Sequence, residues 1–182
     1  MSSSPPETGS TSDAGATVHG PGIVVRLALP GELDAAGEVV RAAYAADGVG
    51  HESYHRVLAD ARDRSQDADL AVAVDPAGTV LGCVTFALPG SRWAELSGPD
   101  EAEFRMLGVA PAGRGRGIGT ALVTWCIDRA RADGAHRLVI CSESSMLTAH
   151  RIYTRIGFTR RPDLDWSPVQ DVRLIGFALD LE

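Results

Sequence analysis

The chain contains no lysine: all 17 of its Lys+Arg residues are arginine. That removes the lysine with which a Walker A loop reaches terminal phosphates, and it removes a Schiff base to pyridoxal phosphate, so nucleotide hydrolysis and pyridoxal chemistry are disfavoured. Cysteine is scarce as well. Cys83, Cys126 and Cys141 each sit alone in an apolar segment, in neither metal nor redox spacing. They read as small buried hydrophobes in a reduced, cytoplasmic chain, and no acyl-enzyme is expected. No run approaches the ~18 consecutive apolar residues of a membrane span, and the start of the chain lacks both a basic and an apolar leader region. A soluble, non-exported protein with no membrane partner is expected. Positive charge is in deficit, with a formal net charge of -7, which argues against a general nucleic-acid binder. No internal repeat is visible.

What is present suits one domain: 182 residues, 45% hydrophobic and 23% charged, enough for a real core. Residues 1–22, rich in Ser, Gly, Pro and Thr, read as a disordered tail, and 23–182 as the folded domain. A first strand is predicted over 23–29. Pro30-Gly31 breaks it before an amphipathic helix in which Leu33, Ala36, Val39, Val40 and Ala43 share a face. A shorter helical segment over 51–61 and a polar link over 62–68 follow. Strands over 70–74 and 79–88, joined by Asp75-Pro76-Ala77-Gly78, read as a hairpin. After a loop over 89–99 come a central strand, a glycine-rich turn and a helix ending near Gly134. A strand over 137–141, a helix over 146–156, a short strand from Phe158 and a last strand over 172–181 complete a mixed α/β sheet, mostly antiparallel and flanked by helices.

The stretch EFRMLGVAPAGRGRGIG, residues 103–119, organises the rest. Phe104, Met106, Leu107 and Val109 give the nearly continuous apolar run of a buried strand, which Pro111 ends. Gly113, Gly115, Gly117 and Gly119 then alternate with Arg114, Arg116 and Ile118 before the helix. The first amides of a helix lack intrahelical partners and sit at the positive end of its dipole, while glycine lets an oxyanion approach the backbone. Strand, break, glycines and helix in this order predict a phosphate-binding turn. The dinucleotide fingerprint GxGxxG does not fit the spacing, which disfavours a nicotinamide cofactor.

These residues resemble the GNAT superfamily of acyl-CoA-dependent N-acetyltransferases. Arg114, Gly117 and Gly119 match its pyrophosphate loop, and SMLTAHRIYTRIGF at 145–158 looks like its second motif; the two span roughly 101–162. The resemblance implies a parallel strand pair that splays apart around acetyl-CoA as acyl donor, and an amine acceptor, small molecule or peptide, attacked directly. A homodimer is common among such proteins. It also implies cofactor contacts from Leu107, Gly108 and Val109 along the central strand, and from Arg114, Gly115, Arg116, Gly117, Ile118, Gly119 and Thr120 at the turn. Glu103 stands where many relatives place a general base, on a strand face that alternation shares with Arg105 and Leu107. Tyr153, four residues before Gly157, occupies the usual position of the acid that protonates the leaving thiolate. A non-catalytic acyl-CoA sensor or scaffold is the alternative from another class.

Other motifs compete. HESYH at 51–55 satisfies the HExxH zinc-protease pattern, but no third ligand follows and no glutamate occurs between Arg56 and Ala94; no metal is expected. The segment reads either as a wall of the acceptor pocket or as a solvated helix with a surface histidine pair. Asp165 and Trp166, in the 162–170 loop, face the acceptor or form a packed turn. Arg137, Arg151, Arg155, Arg160 and Arg161 make a basic cluster within reach of a 3′-phosphate of CoA, or are solvated charges.

Overall fold

The computed structural model describes residues 16–19 and 22–182. Its elements run β1 (Thr17–His19), β2 (Ile23–Leu27), α1 (Leu33–Ala46), α2 (Glu52–Ala59), α3 (Ala61–Arg64), β3 (Asp69–Val74), β4 (Val80–Ala87), β5 (Glu101–Val109), α4 (Ile118–Ala132), β6 (Arg137–Glu143), α5 (Leu147–Ile156), β7 (Thr159–Arg160) and β8 (Leu174–Asp180). The strands form an eight-stranded sheet in the order β1-β2-β3-β4-β5-β6-β8-β7. All neighbours are antiparallel except β5 and β6. This is the mixed α/β sheet the sequence predicts. The disordered tail expected over 1–22 lies mostly outside the described residues; near its end, Thr17–His19 pairs with the open edge of β2.

Two apolar layers cover the sheet. On one face Ala36 and Val40 of α1, Leu58 of α2 and Ala61 of α3 join Val72, Cys83 and Met106. On the other, Leu122 and Cys126 of α4 and Tyr153 of α5 join Val84, Phe104 and Leu138. The helix spacing of the apolar residues produces this: Ala36, Val39, Val40 and Ala43 fall at i, i+3, i+4 and i+7 and are all buried. The predicted hairpin is β3–β4. Its turn is held by Asp75, whose Oδ1 accepts the amides of Ala77 at 3.0 Å and Thr79 at 2.8 Å.

The segment expected as one helix and a polar link is two helices. Asp60 leaves helical geometry (φ -85°, ψ 71°), and its carboxylate caps α3 by accepting the Asp63 amide at 2.9 Å. Arg64, expected in the polar link, is fully buried. Its Nη1 donates to the carbonyls of Val57 and Leu58 at the end of α2, where Val57 O also accepts the Asp60 amide.

Two irregularities of β5 position the site. Thr85 faces Arg105 and Cys83 faces Gly108, so the single residue Val84 of β4 opposes Met106 and Leu107 of β5. The extra residue is a β-bulge at Met106, whose φ of +52° lies in the left-handed region. Strict alternation therefore fails. Met106 packs in the α1 layer, and Leu107 packs in the α4 layer, away from the face of Glu103 and Arg105 on which alternation alone puts it. The second irregularity is the parallel pair, which extends only over Glu101↔Arg137, Ala102↔Leu138 and Glu103↔Val139. Beyond it β5 stays with β4 up to Val109, and β6 stays with β8 up to Glu143. The sheet opens between them.

Candidate active site

A cavity of about 410 Å³ lies at this opening, and both Glu103 and Tyr153 line it. Glu103 occupies the last paired position before the strands part. It is 2% exposed, and its Oε2 accepts the amides of Leu96 at 2.8 Å and Ser97 at 3.3 Å. Burial pushes its pKa above the ordinary glutamate value, while the Leu96 amide and the Arg105 charge pull the other way. A carboxylate held this way accepts a proton at a higher pH than an exposed one, which suits a general base. Arg105, on the same face, is engaged: its Nη1 lies 3.0 Å from Glu95 Oε2 and donates to Trp93 O at 3.2 Å.

Tyr153 comes from the opposite layer. Its ring packs against Phe104 at 5.7 Å and Phe177 at 5.6 Å between centroids. Burial raises its phenol pKa, the Cys126 side chain adds to the rise, and the Ser142 hydroxyl opposes it. The phenol is a neutral donor throughout the physiological range. Glu103 and Tyr153 reach one cavity only because the sheet is open between β5 and β6.

The glycine turn lies at the start of α4. Gly115 and Gly117 adopt φ of +75° and +77°. The first bond of the helical type is Ala121 N to Gly117 O at 2.9 Å, so the amides of Ile118, Gly119 and Thr120 precede the first donor of α4 and have no acceptor within the helix. A Cβ built on Gly115 or Gly117 meets nothing within 4 Å, leaving the open approach to the backbone that a phosphate needs. These residues fit the pyrophosphate of an acyl-CoA. Gly119 differs from its neighbours: its Cβ would stand 3.2 Å from Ile152 Cδ1, so it serves the packing of α4 on α5. Arg114 is paired with Asp47 at 2.9 Å, Arg116 is exposed, and Thr120 Oγ1 accepts from Arg155 at 3.0 Å.

Along β5 the peptides divide. Ala110 N donates to Leu81 O of β4 at 2.8 Å. Alternate peptide groups of a strand point to opposite edges, so Gly108 also faces β4, while Leu107 and Val109 turn toward the opening. Gly108 is small for packing: a Cβ there would stand 2.7 Å from Val40 Cα of α1.

The remaining sequence candidates separate. In HESYH, His51 and Tyr54 line the cavity, whereas His55 Nε2 is 2.7 Å from Val49 O. Among the described residues no cluster of three metal-ligating side chains occurs. Trp166 lines the cavity, but Asp165 turns away to a bidentate pair with Arg160 and to the Gly176 amide at 2.9 Å. The basic cluster disperses for the same reason: Arg137 pairs with Glu101 and Asp180, and Arg161 with Asp163. Arg151 and Arg155 are left on the exposed face of α5. Cys141 borders the cavity, its Sγ 3.1 Å from Leu164 O, and burial pushes its thiol up to about 12; such a thiol is a poor nucleophile. The loop 89–99, read from sequence as a mere connection, supplies both amides on Glu103. The run Trp93-Ala94-Glu95-Leu96, apolar and acidic within turn residues, was the available sign of its burial.

Residues 38–158 match the model of the acetyltransferase (GNAT) family. The chain belongs to this family. Over 160 residues it is 32% identical to a mycothiol acetyltransferase of Sanguibacter keddieii, an alignment covering 85% of this chain and 50% of that protein. The chain thus spans about half the length of that curated relative. A GCN5-related N-acetyltransferase from Kribbella flavida superposes with a TM-score of 0.68 at 24% identity, covering 87% of this chain and 98% of that one. The protein yncA of Salmonella typhimurium, solved with acetyl-CoA, gives 0.64 at 23% identity over 89% and 95%. At these identities the two structures speak to the fold.

Proposed function

We propose that the chain transfers an acetyl group from acetyl-CoA to the primary amine of a small molecule or peptide by direct attack, with Glu103 as general base and Tyr153 as general acid. The observation that carries this reading is a single one: a buried carboxyl with a raised pKa and a buried phenol line one cavity at the point where β5 and β6 part. An aliphatic amine is largely protonated at neutral pH and must lose a proton before it attacks a thioester. Glu103, fixed through Oε2 by the Leu96 and Ser97 amides, takes that proton directly or through a water. Tyr153 donates to the departing sulfur. The amides at the start of α4 with Gly115 and Gly117 hold the pyrophosphate, and the peptides of Leu107 and Val109 receive the pantetheine arm. Acetyl-CoA, when bound, supplies the activated acyl group; no metal is required for the step.

The cysteines support direct transfer over an acyl-enzyme, since Cys141, the one that borders the cavity, is held as a thiol. The test is thiol release from acetyl-CoA by the purified protein, with and without a panel of polyamines, aminoglycosides, amino acids and peptide N-termini. Amine-dependent release is expected. Tight CoA binding with no release on any amine points instead to a sensor or scaffold.

A further inference from the structure

We infer that the acceptor is a primary amine carrying an aromatic or branched apolar body and no carboxylate. The inference rests on the acetyltransferase reading above and narrows it. It starts from where this protein leaves apolar surface open. Among the large apolar side chains that are exposed, Val57, Trp166 and Val169 are 38%, 38% and 48% accessible, and all three line the cavity of Glu103. They come from two unrelated segments, α2 and the loop before β8. Such side chains are ordinary when scattered singly, but several gathered at one cavity mark a surface that a ligand covers. Tyr44 and Tyr54 extend the same lining, their rings edge to face at 6.1 Å. A cavity of about 410 Å³ is within the range of small-molecule sites.

Charge excludes the other half of an amino acid. The carboxylates on the cavity are Glu95, Glu103 and Glu143, and its guanidinium is that of Arg105. The charge of Arg105 is matched by Glu95 through Nη1, which also donates to the Trp93 carbonyl, and its guanidinium carbon lies 6.0 Å from the Trp93 ring. His51 is the further titratable nitrogen on the lining. The lining thus sets three carboxylates against one guanidinium that Glu95 already matches, and an acceptor carboxylate brought beside Glu103 meets like charge. A second ammonium group, as in a polyamine, would leave the open apolar wall uncovered.

Three amines separate these cases: 2-phenylethylamine, phenylalanine, which adds the carboxylate, and 1,4-diaminobutane, which has a second cation and no ring. In thiol-release assays with acetyl-CoA, kcat/KM for 2-phenylethylamine is expected to exceed each of the others by about tenfold or more, the scale on which apolar pockets discriminate. In Trp166→Ala and, independently, Val169→Ala, the ratio of kcat/KM for 2-phenylethylamine to that for ethylamine should fall severalfold. Phenylalanine or 1,4-diaminobutane turning over as well as 2-phenylethylamine overturns the inference and leaves the acetyltransferase reading standing. Absence of thiol release with every amine overturns both.

Discussion

The amide of Leu96 donates to Glu103 Oε2 at 2.8 Å, so a loop residue outside the strand fixes the carboxylate that borders the open end of the sheet. The two amides on Oε2 stabilise the charged form, whereas burial destabilises it more, and the pKa rises. The folded protein therefore binds this proton more tightly than the unfolded chain does. Stability contributed by Glu103 is fully present below the ordinary glutamate value and is lost as pH rises through the raised folded value. Activity runs the opposite way, since a base works only when deprotonated. Glu103→Gln keeps an acceptor for both amides and removes the charge. Its expected kcat/KM is lower by roughly 10²–10⁴, with the acid limb of the pH profile gone and thermal stability at neutral pH equal to or above the parent. Parallel pH–rate and melting measurements check both signs.

Tyr153 is surrounded by Phe104, Phe158 and Phe177, with ring centroids 5.6–5.8 Å away, so Tyr153→Phe keeps the packing and removes the donor. The expected loss of stability is about 1 kcal/mol, that of one hydrogen-bonding group. Turnover is expected to fall by about 10², while the acid limb set by Glu103 persists. Wild-type turnover in Tyr153→Phe with normal CoA affinity would assign protonation of the thiolate to water.

How legible the fold was depended on whether a signal was local. Helix spacing in α1 and the Asp75 turn are written in neighbouring residues, and both elements formed as expected. The glycine turn was equally legible as a whole, but the separate duties of its glycines were not. Gly117 is open to solvent and left-handed, while Gly119 packs against Ile152 from a helix more than thirty positions along the chain. The bulge at Met106 changed which face Leu107 takes, and it depends on a register set across β4, not on any residue of β5 alone. Likewise Arg64 reads as an ordinary polar residue until the end of α2 comes over it with two carbonyls.

The two glycines lead to a separable pair of variants. Gly117→Ala forces a β-carbon onto a backbone at φ +77° with nothing within 4 Å, so strain of about 1–2 kcal/mol and a crowded anion site are expected, and CoA affinity falls. Gly119→Val presses on Ile152 from inside; it is expected to lower the melting temperature and to move α5, reducing turnover more than CoA affinity. Calorimetric CoA titration and thermal melts on the two variants check the division, and equal loss of CoA affinity in both would refute it.

The junction of α1 and α2 gives the sharpest test of the packing behind the cavity wall. Gly37 lies in the interior of α1 and is buried, where helix propensity alone favours alanine by about 1 kcal/mol. Here, however, a β-carbon would stand 1.9 Å from the carbonyl oxygen of Ala59 at the end of α2. The obstacle is backbone, so no rotamer change relieves it, and the helices must separate. Gly37→Ala is therefore expected to destabilise by about 1–3 kcal/mol, the usual cost of overpacking, in spite of its propensity gain. Gly31→Ala, where nothing lies within 4 Å of the added carbon, is the matched control and is expected to be neutral or slightly stabilising. Because α2 carries Tyr54 and Val57 of the cavity lining, separation should also raise KM for an apolar amine. Urea unfolding reads the first effect as a lower midpoint at unchanged slope, and steady-state kinetics reads the second. A Gly37→Ala midpoint at or above that of the parent would mean that α1 and α2 do not meet in this way.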